Sequence, residues 1–395
     1  MYAQRLERIS PFRVVELLER AKALEADGAA IVHFEVGEPD FPTAAPIVKA
    51  GHRALDAGAT KYTQALGIPA LRERIAAYYG ERCDVDVDPE RVVVTGGASG
   101  ALLLLGALLL DPGDELLLTE PGYPCNEVFA HLVNGIPRPV AVHPENGFRP
   151  TPSQLGAAWG PAVRGLLAAS PANPTGAVLP AAELAELAAA VRAREGFMIL
   201  DEIYQGLTYA GIGGAVEPGC RTGLAVADDL FVLNSFSKYF GMTGWRLGWM
   251  VVPEAAVAPV ARLAQNLFIS PPALAQHAAL AAFEPAAMAV HEARREAFAE
   301  RLGRLSRGLE ALGFSIPVRP SGAFYVYADV SRSGMGAMEL CWRLLEEYGV
   351  AATPGVDFGG AEPERFVRFA FTTGTAEIDE GLERMGRALA DWGVA

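Results

Sequence analysis

Apolar and polar positions along this 395-residue chain change period several times, and those changes mark out its elements. Residues 14–27 carry apolar side chains at helical spacing, and Ile31-Val-His-Phe-Glu35 then reads as a strand. A Gly/Pro-rich loop follows at Gly37-Glu-Pro-Asp-Phe-Pro42. From about residue 91, short apolar runs alternate with helical stretches. The runs fall at 91–95, 115–119, 165–170, 197–201, 229–234 and 247–252, and helices are predicted at 99–110, 181–194 and 254–265. Near-continuous runs such as Val92-Val-Val94 and Met198-Ile-Leu200 suit strands buried on both faces, as in a parallel sheet. A long helix is predicted from 286 to 312, ending at Gly313, with Glu292, Arg295, Glu296, Glu300 and Arg304 facing solvent. Phe324-Tyr-Val-Tyr-Ala328, a helix near 336–348 and a strand at 365–371 follow.

This alternation predicts an α/β fold: a large domain with a mostly parallel, doubly wound sheet flanked by helices, plus a smaller α+β domain. The length also favours two domains. At 51% hydrophobic and 20% charged, the composition is that of a well-packed globular protein. The net charge of -14 argues against nucleic acid or an anionic membrane as partner, so any anion site must be built locally from arginines and N–H groups. Cys83, Cys125, Cys220 and Cys341 are scattered without a CxxC pair, which points to a reduced, cytoplasmic setting. The opening residues show no apolar signal core, and the longest apolar run, 101–110, is about half a membrane span. The histidines are isolated and no HExxH occurs, so no metal site is expected.

Candidate chemistry centres on a lysine. Of 33 Lys and Arg residues only Lys22, Lys49, Lys61 and Lys238 are lysine. Lys238 lies in Ser235-Phe-Ser-Lys-Tyr-Phe-Gly-Met-Thr-Gly-Trp-Arg-Leu-Gly248, between hydroxyls and an arginine. Lysine forms a Schiff base with an aldehyde; arginine does not. Pyridoxal 5'-phosphate is the carrier that joins an aldehyde to an electron-storing ring. It demands a phosphate cradle, an acid at the pyridine nitrogen, a donor at the phenolic oxygen and a ring stack. Thr95-Gly-Gly-Ala-Ser-Gly100 follows a strand and opens a helix, so Ala98 and Ser99 offer N–H groups to a phosphate, with Ser235, Ser237 and Arg246 adding donors. Alone, that loop reads equally as a plain turn into a helix. Asp201 ends a buried strand, where α/β ligand sites occur, and Tyr204 lies three residues on. Alone, Asp201 reads as a turn cap. Asn173 sits in Ser170-Pro-Ala-Asn-Pro-Thr-Gly176, and Tyr123 offers a ring to stack on. Arg368, central in an alternating apolar strand, suits either an α-carboxylate clamp or a structural ion pair; Gly37 offers a backbone N–H to the same carboxylate.

Taken in order, these segments resemble the class I, fold type I, pyridoxal-phosphate-dependent aminotransferases, and within them the bacterial aspartate-aminotransferase-like group. The resemblance rests on Val36-Gly-Glu-Pro-Asp-Phe41, Lys61-Tyr-Thr-Gln-Ala-Leu-Gly67, the 95–101, 170–176 and 235–248 segments, Asp201-Glu-Ile-Tyr204, Gly322-Ala-Phe-Tyr325 and Arg365-Phe-Val-Arg-Phe-Ala370. It implies that Lys238 bonds the cofactor aldehyde and later moves the proton. Asp201 would be the pyridinium partner, Asn173 and Tyr204 the donors at the phenolic oxygen, and Tyr123 the ring stack. Ala98, Ser99, Ser235, Ser237 and Arg246 would hold the phosphate. Arg368, Asn173 and Gly37 would contact the substrate. Tyr62 would reach the phosphate of a neighbouring subunit, which implies a homodimer with shared active sites. Residues 1–44 would form an N-terminal arm and part of the small domain, 45–285 the large cofactor-binding domain, and 286–395 the C-terminal small domain.

The implied reaction is ping-pong transfer of an amino group from an L-amino acid to a 2-oxo acid such as 2-oxoglutarate. A distal carboxylate needs a second cation, and no lysine lies between Lys61 and Lys238. Arg13 is one substitute; without it alanine or an aromatic donor fits as well as aspartate. A β-lyase on the same fold is the alternative reading. A non-catalytic ligand-sensing module is disfavoured by the acidic chain and the short segment before Gly37.

Overall fold

The structure, a computed structural model, describes residues 2–9, 11, 13–209 and 221–394. In chain order, α1 (Arg13–Ala26) leads to β1 (Val32–His33), and α2 (Ala45–Asp56) and α3 (Pro69–Cys83) precede β2 (Val92–Thr95). Next come α4 (Gly97–Leu109), β3 (Glu115–Glu120), α5 (Cys125–Leu132), β4 (Ile136–Ala141), α6 (Pro152–Ala158) and β5 (Val163–Ala169). They are followed by α7 (Ala181–Arg192), β6 (Phe197–Asp201), β7 (Phe231–Ser235), β8 (Gly248–Val251), α8 (Glu254–Leu267) and α9 (Ala273–Leu280). Last are α10 (Pro285–Ala311), β9 (Tyr325–Asp329), α11 (Ala337–Tyr348), β10 (Val350–Ala351), β11 (Thr353–Pro354), β12 (Phe366–Ala370) and α12 (Thr375–Asp391).

The main sheet has seven strands in the order β2-β8-β7-β6-β5-β3-β4. β7, β6, β5, β3 and β4 run parallel, while β8 is antiparallel to both β2 and β7. The sheet is therefore mixed, with the parallel majority that the apolar runs predict. Residues alternate between its faces: Val93, Leu167, Ile199, Leu233 and Met250 pack with α4 and α8, while Val92, Val94, Leu166, Leu200, Val232 and Trp249 join the larger core opposite. With both faces covered, the strand interiors are mostly apolar, so polar groups aimed at a ligand favour the strand ends. That is why Asp201 and Ser235 come last in their strands and why Asn173 and Tyr123 lie in loops just beyond theirs.

A three-stranded antiparallel sheet, β11-β12-β9, and a parallel β1–β10 pair form a second layer with α10, α11 and α12. Residues 33–37 connect the layers: the Phe34 N–H donates to Ala351 O, the Ala370 N–H donates to Phe34 O, and Lys238 Nζ donates to Gly37 O. The Asp357 carboxylate accepts from the N–H groups of Arg13 and Val14 (3.0 and 2.8 Å) and so pins the start of α1 across the sheet's C-terminal edge.

The differences from expectation have physical causes. β4 carries Pro137 and Pro139, which argue against a strand, yet it lies at the sheet edge, where a missing N–H is tolerated. The 31–35 strand shrinks to Val32–His33 because its only strand partner, β10, has two residues. Glu292 is drawn out of solvent: it accepts from the Tyr239 hydroxyl (2.5 Å) and from Arg82 (2.7 Å). Four reduced thiols were expected, but Cys83 is disulfide-bonded; Cys125 and Cys341 are free, and Cys220 lies outside the described residues. Among the described residues no helix is long and apolar enough to cross a membrane.

Candidate active site

At the C-terminal edge of the parallel strands lies a cavity of about 510 Å³. Its walls include Gly37, Ala98, Ser99, Tyr123, Asn173, Asp201, Tyr204, Ser235, Ser237, Lys238, Arg246 and Arg368. Every site residue named from the sequence therefore meets in one place except Tyr62, which is 79% exposed and absent from this wall.

Lys238 follows β7, in a turn where the N–H groups of Gly241 and Met242 are bound by Lys238 O and Phe236 O. Its ammonium donates to Gly37 O at 2.6 Å and lies 5.6 Å from the Phe324 ring. Burial lowers its pKa to about 8, partly opposed by the negative charge of Glu38. An amine so placed is a competent nucleophile near neutral pH.

Asp201 closes β6 and is buried. Burial raises its pKa to about 6, against the Ile203 N–H, which donates to Oδ1 at 2.9 Å, and the charge of Lys238. Above that pH it puts a negative charge on the cavity floor. Its neighbour Glu202 alternates to the opposite side, where it accepts from the Gly223 N–H at 2.7 Å. The Tyr204 hydroxyl bonds that of Tyr325 at 2.8 Å, and burial keeps Tyr204 a neutral phenol.

The anion cradle is formed by the start of α4 and the turn before β8. Gly97 has φ +73°, and a Cβ there would stand 2.7 Å from the Arg246 guanidinium. A Cβ on Gly248 would meet the Gly97 carbonyl carbon at 2.8 Å and the Ala98 nitrogen at 2.9 Å. Only glycines let this helix start press against the β8 turn. The Ser235 hydroxyl bonds that of Ser237 at 2.9 Å, and Arg246, itself left-handed at φ +52°, is held by Thr243 O at 3.0 Å. Free N–H groups at a helix start, two hydroxyls and a guanidinium are a donor set that could hold a phosphate.

Arg368 is buried at the centre of β12, and among the described residues it has no acidic partner in an ion pair. Nη1 donates to Asn173 Oδ1 (2.9 Å), and Nη2 donates to Glu35 O (2.7 Å) and Thr353 Oγ1 (3.1 Å). Nε has no partner. The guanidinium lies 4.3 Å over the Tyr325 ring. A structural ion pair, the other reading of this arginine, is thus not what the chain builds; a buried cation with neutral partners is poised for an incoming anion.

Gly37 contributes more than the expected N–H: its carbonyl holds Lys238, and a Cβ there would collide with the Tyr325 hydroxyl. The periodicity gave no functional signal for Val14, Val15 and Leu18 of α1, which cover the cavity, or for Glu38, which accepts from the Thr243 hydroxyl at 2.5 Å. Arg13 is absent from the wall; its guanidinium turns to Glu16 at 3.5 Å.

The donor set fits a phosphorylated pyridine aldehyde: an anion cradle, a buried carboxylate, a phenol and a buried amine all face one volume. Known proteins agree. The family model for aminotransferase class I and II matches residues 29–385. The valine–pyruvate aminotransferase of Mycobacterium tuberculosis is 38% identical over 381 residues, 96% of this chain and 97% of that protein. The aspartate/prephenate aminotransferase of Thermus thermophilus is 35% identical, over 98% of each. A crystal structure of an aminotransferase from Mycobacterium tuberculosis superposes with a TM-score of 0.93 at 37% identity, covering 99% of both chains.

Proposed function

The chain belongs to the class I and II aminotransferases, transaminases that depend on pyridoxal phosphate and share the fold type I α/β architecture; from that premise we propose that it moves the amino group of a neutral aliphatic L-amino acid to a small 2-oxo acid by a ping-pong reaction. The observation that carries the substrate choice is the cavity wall. Its cations among the described residues are Lys238, Arg246 and Arg368, and each has a task. Arg246, with Ser235, Ser237 and the N–H groups of Ala98 and Ser99, holds the cofactor phosphate. Asp201 would partner the ring nitrogen, Asn173 and Tyr204 would serve the phenolic oxygen, and Tyr123 would lie against the ring. Arg368 and Asn173 grip the substrate α-carboxylate, with Gly37 beside them. No cation of this chain's own wall is left for a second carboxylate, and the cover is Val14, Val15 and Leu18. Aspartate and 2-oxoglutarate would each bury an unpaired charge there.

Bound in this site, pyridoxal phosphate supplies an aldehyde that takes the donor's amino group and a protonated ring that draws electrons from the Cα–H bond. The chain does the rest. Lys238, as a free amine, would take the donor's Cα proton at Nζ and later give it up again. Gly37 O, 2.6 Å from Nζ, keeps the amine over the cavity. Asp201, ionised above about pH 6, stabilises the positive charge on the ring nitrogen. The apolar cover from α1 excludes water from the charged groups below. The exposed Tyr62 fits a role at a neighbouring subunit's phosphate, so the working form we propose is a homodimer, with residues 1–44 and 286–395 as a small domain beside 45–285.

Single-turnover rates with alanine, valine, phenylalanine and aspartate test the substrate reading. Valine or alanine should exceed aspartate by at least about tenfold in kcat/KM; equal rates with aspartate would refute the neutral pocket. The lowered lysine pKa gives a pH prediction. Cofactor uptake by apoprotein, followed as gain of visible absorbance, should rise about tenfold per pH unit below 8 and level off above it, since only the unprotonated amine attacks. A rate still climbing at pH 10 would place the amine at its ordinary value.

A further inference from the structure

His33 stands between two carboxylates, each on a segment that builds the substrate subsite. Its Nδ1 donates to Glu35 Oε1 at 2.6 Å, and its Nε2 donates to Glu25 Oε1 at 3.2 Å. Glu25 is on α1, the helix that covers the cavity. Glu35 is fully buried, and its Oε2 has no partner. The same residue's carbonyl holds Arg368 and Thr353, the next carbonyl, Val36 O, accepts from Thr372 (2.9 Å), and the next, Gly37 O, holds Lys238. Three successive carbonyls thus hold Arg368 with Thr353, Thr372, and the amine of Lys238. The carboxyl group behind them is buried, and among the described residues its one side-chain partner is His33.

We infer that His33 is a positioning residue for the α-carboxylate clamp: its imidazolium neutralises Glu35 under the 35–37 backbone and ties that backbone to α1 through Glu25. The inference rests on the reading of Arg368 as the clamp. Without the imidazolium, Glu35 is an uncompensated charge in the interior. The segment must then open to water, and Glu35 O moves away from Arg368. Hydrogen bonding to Glu35, opposed by burial and reinforced by both carboxylates, raises the pKa of His33 to about 9, so its positive charge is present at neutral pH and lost as pH rises through that value. Other charges near it are accounted for. On α12, Arg384 pairs with Glu380 and donates to Ala30 O, and that helix meets β1 through Gly381 on the Val32 and Phe34 side. β10 brings only Val350 and Ala351.

The test uses holoenzyme and isovalerate, a carboxylate with no amino group to react. Calorimetry at pH 7 should show His33→Gln binding isovalerate about tenfold more weakly, a loss of the size expected when a charged hydrogen bond is removed. KM for valine should rise by the same factor and kcat should change by less than about twofold, because the loss is of binding common to ground and transition states. The double variant H33Q/E35Q removes both charges and should recover most of the affinity. In the wild type, isovalerate binding should weaken above pH 9, and in His33→Gln it should not. If Arg368→Leu binds isovalerate normally, the clamp reading falls and this inference with it. If Arg368→Leu loses binding while His33→Gln keeps it, or if the double variant binds as poorly as His33→Gln, this inference alone is overturned.

Discussion

Replacing Lys238 by alanine is expected to lower turnover by about 10⁴-fold, the upper range for loss of a positioned acid–base group, and to remove the visible absorbance of lysine-bound cofactor. The size follows from what one side chain does. Lys238 is the only lysine in the cavity wall, and its amine sits between Gly37 O and the Tyr204 and Phe324 rings with its pKa lowered to about 8. Alanine removes both the group that bonds the aldehyde and the base that takes the Cα proton. The other cations of the wall are arginines, whose guanidinium groups do not serve as proton acceptors. The loss should fall on kcat more than on folding, because the ammonium makes one hydrogen bond, to Gly37 O, and the nearby Asp201 carboxylate, which loses a favourable cation, can take up a proton instead. Added small amines should restore part of the proton transfer in the space vacated. A variant with near-normal turnover would break the assignment.

Asp201→Asn should lower kcat by about 10²- to 10³-fold, the range seen when a single preorganised electrostatic contact is lost. Asparagine keeps the shape and can still accept from the Ile203 N–H, while the Asp201 backbone carbonyl still receives the Ser170 N–H. Only the negative charge disappears. That charge lies in a dry site, where burial already pushes the carboxyl up to about 6, so its interaction with a cationic ring nitrogen is poorly screened. The melting temperature should hold or rise, because an unpaired buried charge is removed. Absorbance should show a cofactor with its ring nitrogen unprotonated. Unchanged kcat would mean that Asp201 only caps its turn, the simpler reading its sequence position also allows.

Much of this site was legible in the chain because its chemistry is carried by residues that burial would otherwise exclude. Asp201, Ser235 and Asn173 stand out where apolar strands end, and Gly97 and Gly248 stand out where a helix start needs close approach. Arg368 was legible as a charge inside a strand, but its partners Asn173 and Glu35, 195 and 333 residues away, were not. Periodicity reports one element at a time and says nothing of which ones meet. The same limit hid the cover from Val14, Val15 and Leu18, which read as the apolar face of any helix, and the role of Glu35, which read as the end of a strand. Arg13 looked available for a distal carboxylate until Asp357 was seen to fix its backbone while its guanidinium turns outward to Glu16.

The central claim is that Lys238 runs a transamination in two halves, and it is tested most directly by giving holoenzyme valine with no 2-oxo acid present. The expected result is one equivalent of 2-oxo acid per site, loss of the visible absorbance and then arrest, with no ammonia, until pyruvate restarts the cycle. Unchanged absorbance and no 2-oxo acid from valine would contradict it, and continued release of pyruvate and ammonia when cysteine, which carries a β-leaving group, replaces valine with no acceptor present would point to a β-lyase.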